Sequence, residues 1–183
     1  MQYRHNEKQI TFLCASPSFI GPIFEESVVL ILESDSDGAL GVIINKPTGQ
    51  ILSELKPEFR GSLIGECEVF NGGPLGQNQL SLGVCYLDET DEPVFEFGIP
   101  DDKMNEILNG GKVIQSGAFV GYSSWGPGQL NEEIDEGVWI EMKTDTSFLA
   151  PIRPEQQWEA ICMVNFPEFK DLKPDFDVSE LSN

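Results

Sequence analysis

The sequence predicts an α+β fold built around a mixed or antiparallel sheet. Two observations carry that expectation. Runs rich in β-branched and aromatic residues, bounded by turn signals, recur along the chain, and helical segments with clear end signals fall between them. The two kinds alternate without the regular βαβ rhythm of a doubly wound parallel sheet.

In chain order, ITFLCA at 10–15 and SVVLILE at 27–33 read as strands. SDSDG is a turn in which Gly38 can take a left-handed backbone, and ALGVII is its hairpin partner. At NKP, residues 45–47, the proline ring is expected to break pairing at a strand end and to leave Lys46 solvated. ILSELK is a short helix, and EVFN, QLSLGVCYL and PVFEFG are strands. DDKMNEILNGG is a compact helix: Asp101 or Asp102 caps its start, Met104, Ile107 and Leu108 share a face, and Gly110 and Gly111 close it. KVIQSGAFVGY is a strand, a helix runs from near Gly128 to Gly137, and GVWIEM is a strand. PEQQWEAICMV is a helix opened by Pro154, with Trp158, Ile161 and Cys162 as core contacts. A chain of 183 residues suits one core. Residues 1–166 are therefore expected to form one domain, and 167–183 an acidic, flexible tail.

Charge narrows the function. The chain carries 31 Asp and Glu against 11 Lys and Arg, a formal net charge of −20, and its basic residues are scattered. Binding duplex DNA requires clustered cations that displace counterions, so this pattern argues against direct nucleic-acid binding. The first ten residues lack an apolar signal region, and the longest apolar run, VVLIL, is too short to span a bilayer. A soluble cytoplasmic protein is expected. Cys14, Cys67, Cys85 and Cys162 are far apart in sequence and read as buried reduced thiols. With His5 as the sole histidine and no CxxC pair, neither a metal site nor a cofactor is expected.

GYSSWGPGQL at 121–130 invites three readings. A nucleophile elbow needs G-x-S-x-G, and both Ser123 and Ser124 miss that register, with only His5 to act as base. No catalytic residue is assigned. The second reading is an anion cradle at the helix start, with Gly126 and Gly128 allowing close approach and Gln129 adding an amide. Acidic residues along NEEIDE counter it, which favours a structural corner with Tyr122 and Trp125 packed on the core. Glu132 and Glu136, one turn apart, read as a solvated face rather than a magnesium site. If the NKP, NGGP and GYSSWGPGQ loops converge, Asn45, Lys46, Asn71, Gly72, Gly73, Tyr122, Trp125, Gly126, Gly128 and Gln129 would line one polar pocket, with Lys46 as its cation.

In order, ASPSFIGPIFEESVVLI, GALGVIINKP, NGGP, GYSSWGPGQLNEEIDEGVWI and PEQQWEA span nearly the whole fold. With these motifs the chain resembles the YqgE/AlgH family of bacterial proteins. The resemblance implies a single-domain α+β fold in which helices surround a sheet partly closed into a small barrel. Some members carry a transcriptional-regulator label, but no catalytic residue, cofactor or DNA-reading helix comes with it. The family commonly has Arg where this chain has Lys46 and Gly where it has Ser124; Lys46 offers a point charge in place of a bidentate guanidinium, and Ser124 argues against a strict left-handed backbone requirement there. The function expected is a non-enzymatic regulatory protein that uses a small-molecule pocket or a protein partner. The alternatives are a regulator acting on DNA and a carboxylate- or metal-dependent enzyme.

Overall fold

The computed structural model describes residues 2–5, 10–18, 21–144, 153–166 and 169. The tail expected from Pro167 onward lies outside them, apart from Phe169. The strands are β1 (Tyr3–His5), β2 (Ile10–Ala15), β3 (Val28–Asp35), β4 (Gly38–Ile43), β5 (Pro47–Ile51), β6 (Glu68–Asn71), β7 (Leu75–Leu87), β8 (Pro93–Phe97), β9 (Lys112–Trp125) and β10 (Trp139–Thr144). The helices are α1 (Leu52–Leu55), α2 (Asp101–Gly110), α3 (Gln129–Asp135) and α4 (Pro154–Asn165). The fold is α+β with a mixed sheet, as the sequence predicts.

One ten-stranded sheet runs in the order β1-β8-β7-β9-β4-β3-β2-β10, with β5 and β6 branching from β9. All pairings are antiparallel except β6 with β9. Strand β9 organises the sheet because two strands divide one of its edges. Val69 to Asn71 of β6 pair with Ala118 to Val120, and Ala39 to Gly41 of β4 pair with Ser123 to Trp125. Gly121 sits at the changeover with φ of +77°, and a Cβ there would lie 2.4 Å from the Gly73 carbonyl oxygen. Only glycine fits this crossing.

The barrel expectation is corrected: the hydrogen-bonded path is open, ending at β1 and β10. The sheet curls without closing. Phe12 of β2 and Leu30 of β3 share a core with Phe95 of β8 and Phe119 of β9, so the two halves meet through side chains rather than through a ladder. Because successive side chains on a strand point to opposite faces, Ala118 joins a second core with Leu52, Ile64, Val84, Met104 and Ile107, under α1 and α2. The same sheet therefore has apolar packing on both faces.

Several local expectations change. Pro47 does not end pairing: it opens β5, opposite Phe70 of β6. Proline is tolerated at the first residue of a strand. GYSSW is the end of β9 and not part of a corner, which is confined to the residues after Trp125. β7 starts at Leu75, before the predicted strand, and β1 forms in a stretch with no strand pattern. The cap of α2 is Pro100, so Asp101 and Asp102 lie inside the first turn and act on the helix dipole instead of capping it. All four cysteines are buried and unbridged.

Candidate functional site

The ten residues singled out above fall into three neighbourhoods along β4 and β9. At one end Trp125 is buried and stacks on Phe24 at 6.2 Å, with Trp139 edge-on at 5.9 Å. Both indole N–H groups donate to the same Glu133 oxygen, Trp125 Nε1 at 2.8 Å and Trp139 Nε1 at 2.7 Å. Gln129 donates to the other carboxylate oxygen at 2.8 Å, and its own carbonyl oxygen accepts the Gly126 N–H at 2.9 Å. Gly128, at φ +78°, precedes the first helical residue of α3. Each of these polar groups is satisfied within the motif. The end of β9 and the turn after Trp125 are tied to α3 and β10 through Glu133, and the Gln129 side chain takes one of the N–H groups that an anion would need. Glu132 and Glu136 are exposed on α3.

Midway along β9 the backbones crowd. A Cβ on Gly73 would lie 2.3 Å from the Tyr122 carbonyl carbon and 2.5 Å from Ser123 Oγ. Gly72 N–H bonds to the Val120 carbonyl at 2.7 Å, Asn71 N–H to the Lys46 carbonyl at 2.9 Å, and Gln77 Nε2 donates to the Gly73 carbonyl. The Tyr122 ring lies over Gly76. Ser123 is fully buried with no hydrogen-bond partner for its hydroxyl, a poor position for a nucleophile. Ser124 pairs with Leu40 in ordinary strand conformation, so its place needs no left-handed backbone.

At the far end of β4, Asn45 and Lys46 open onto a cleft of about 330 Å³ lined also by Glu26, Pro47, Glu155, Trp158 and Glu159. Asn45 is buried, accepts the Val28 N–H at 2.7 Å and donates to the Glu26 carbonyl at 2.9 Å. It is a clamp that fixes Glu26, whose φ of +54° is unusual for a residue with a side chain. Trp158 anchors α4 by donating to the Ala15 carbonyl at 2.8 Å. Lys46 is half-buried, against the expectation of a solvated side chain, and among the described residues its ammonium has no ion-pair partner. Burial holds its pKa below the ordinary lysine value, opposed by the charges of Glu26 and then Glu25. Glu68, at the start of β6, sits above the usual carboxylate range because of burial and then the charge of Glu155.

The Trp125 corner and the Lys46 cleft thus lie at opposite ends of β4. Ala39, at its start, faces Trp125, while Asn45 and Lys46 follow its end. The NKP, NGGP and β9 segments do meet through backbone hydrogen bonds, yet of the ten residues only Asn45 and Lys46 line the cleft. Sequence reasoning missed Glu26, Glu155 and Glu159, which reach the cleft from a loop and from α4. The (i, i+3, i+4) spacing of Glu155, Trp158 and Glu159 was the one available signal. It also missed Glu133 as the acceptor shared by two tryptophans. Among the described residues no group of three or more His, Cys, Asp or Glu is placed to hold a metal ion.

The family model described as DUF179, AlgH-like, matches residues 12–165. The chain belongs to this AlgH-like family. A UPF0301 protein of Nitrosococcus oceani is 32% identical over 158 residues, covering 81% of this chain and 84% of its relative. The UPF0301 protein AlgH of Pseudomonas aeruginosa is 27% identical over 158 residues, with the same shares covered. The solution structure of AlgH from Pseudomonas aeruginosa superposes with a TM-score of 0.63 at 24% identity, covering 92% of this chain and 94% of that one. A crystal structure of a Corynebacterium diphtheriae protein gives the same TM-score at 20% identity, covering 98% and 94%. These two likenesses establish the AlgH-like fold. No helix among the described residues is long and apolar enough to cross a membrane.

Proposed function

We propose that this AlgH-like chain is a non-enzymatic cytoplasmic regulatory protein, a single domain over residues 1–166, that works by binding a small molecule or a partner's side chain in the Lys46 cleft. The observation that carries this reading is the unpaired, half-buried Lys46 ammonium in a cavity that also holds three carboxylates. A half-buried ammonium with no direct ion pair keeps only part of its hydration, so a ligand that makes a direct contact gains affinity at little conformational cost, because Asn45 and Trp158 already fix the walls. The Trp125 corner offers no such opening.

A thermal-shift screen of wild type and Lys46→Ala against nucleotides, phosphorylated metabolites, amino acids and divalent cations tests the reading. A ligand at about 100 times its Kd stabilises by roughly 2.7 kcal/mol, several degrees for a chain of this size. The expected outcome is a shift that Lys46→Ala abolishes. If no compound shifts wild type, and proteins captured by wild type are captured equally by Lys46→Ala, the cleft is not the functional site.

A further inference from the structure

Strand β7 outruns its neighbour β8. Their register runs from Leu87 opposite Pro93 to Gly83 opposite Phe97, and β7 continues through Leu82 and Leu80 to Leu75, paired on its other side with β9. Backbone groups along an antiparallel strand face its two neighbours alternately. The Leu82 carbonyl accepts the Gly98 N–H at 2.8 Å, so Leu82 faces the β8 side, and Leu80, two residues away, faces it too. In the same register the residue opposite Leu80 is Pro100, which has no N–H to give, and Gly98, at φ +70°, already turns the chain away toward α2. Among the described residues the Leu80 N–H and C=O therefore have no strand opposite them. The overhang LGQNQLSL holds no charged residue and no proline, the usual guards of a strand edge.

Beside this edge lies a cleft of about 220 Å³ lined by Leu52, Phe59, Leu82 and Ile99, with the exposed Lys56 and Asp101 also in its wall. Its apolar residues belong to the core under α1 and α2, the core that Leu80 also packs against. We propose, independently of the Lys46 cleft, that this edge takes an extended segment of a partner protein as an added antiparallel strand, with an aliphatic residue in the cleft and cationic residues on its flanks. The residue opposite Leu80 gives its N–H to the Leu80 carbonyl and accepts the Leu80 N–H, and such a pair puts both side chains on one face of the sheet. Its side chain therefore enters beside Leu80, against Phe59 and Ile99. Main-chain bonds supply the affinity and the cleft supplies the selectivity, as in strand addition generally. Charge selects the occupant. Lys56 and Asp101 offset each other in the wall, while the chain's net charge of −20 repels a second copy and attracts a basic segment.

Titration of isotope-labelled protein at low salt with the peptide acetyl-KKTVTLTVTKK-amide tests the assignment. The Leu80 amide signal is expected to shift on binding and its hydrogen exchange to slow. N-methylating the peptide's valines and leucine removes the N–H groups that face β7 and should weaken binding about tenfold or more. Exchanging the flanking lysines for glutamates should weaken it several-fold. Leu80→Pro deletes the open N–H while sparing the β9 ladder, and should abolish the response. Circular dichroism checks that this variant folds, and if it does not, the N-methylated peptide decides. No binding at about millimolar peptide, or equal binding by the N-methylated or acidic-flanked peptide, overturns the proposal. So does sedimentation showing a dimer that protects the Leu80 amide without peptide, which would assign the edge to a second copy. None of these outcomes depends on Lys46, so the cleft reading stands or falls separately in the thermal screen.

Discussion

The Trp125 corner and the Lys46 cleft lie at opposite ends of β4, and they treat charge in opposite ways. At the corner one carboxylate, Glu133, accepts from two indoles and an amide, so a partly buried anion is fully hydrogen-bonded. At the cleft a half-buried cation and the Glu155 carboxylate share a cavity without pairing. Closed networks rigidify a fold, while charges left unpaired beside a cavity are available to a ligand. The most distinctive motif in the sequence is therefore structural, and the plainer NKP tripeptide supplies the candidate site.

The comparison can be broken most forcefully at Trp125. Trp125→Ala empties a buried indole from a cluster with Phe24 and Trp139, and should cost about 3–5 kcal/mol in urea denaturation. A loss below about 1 kcal/mol, the level of an ordinary surface change, would mean that the corner does not stabilise the fold as a unit. Glu133→Gln comes next. The amide keeps the shape but turns an NH2 group toward either the paired indoles or Gln129, so at least one donor loses its acceptor, and about 1–3 kcal/mol should be lost. Indole N–H exchange measured by NMR should rise at Trp125 and Trp139 together.

Lys46→Met sharpens the other half and should have the smallest effect on stability. Because burial lowers the Lys46 pKa in the fold, the charged form is a penalty that is complete below the folded value and disappears as pH rises to the ordinary lysine value. Lys46→Met should therefore match or exceed wild-type stability at pH 7, and wild type should gain on the variant as pH rises across that interval. Urea titrations at neutral and alkaline pH check this. Wild type markedly more stable at pH 7 would show that Lys46 is a structural cation, and the contrast between the two regions would fail.

Much of the fold was legible because local physics sets it. The hairpin through Gly38, the helix opened by Pro154 and the strand EVFN depend on turn chemistry, fixed proline geometry and β-branched content, all properties of neighbouring residues. The site was half legible. Asn45 and Lys46 stood out beside a proline, but Glu26, Glu155 and Glu159 are separated from them by up to more than a hundred residues and carry no local mark of a shared cavity. The hub role of Glu133 was equally hidden among the acids of NEEIDE.

By itself the sequence determined the family, most of the secondary-structure elements, though not β1 or β5, and the acidic, histidine-poor chemistry, because motif, periodicity and composition are local or additive. Tertiary structure alone decided that the sheet curls through side-chain packing without closing, that β4 and β6 divide one edge of β9, and that α4 brings its glutamates to Lys46. Those outcomes depend on which distant surfaces pack together, and packing is a property of the assembled chain that no short stretch of it encodes.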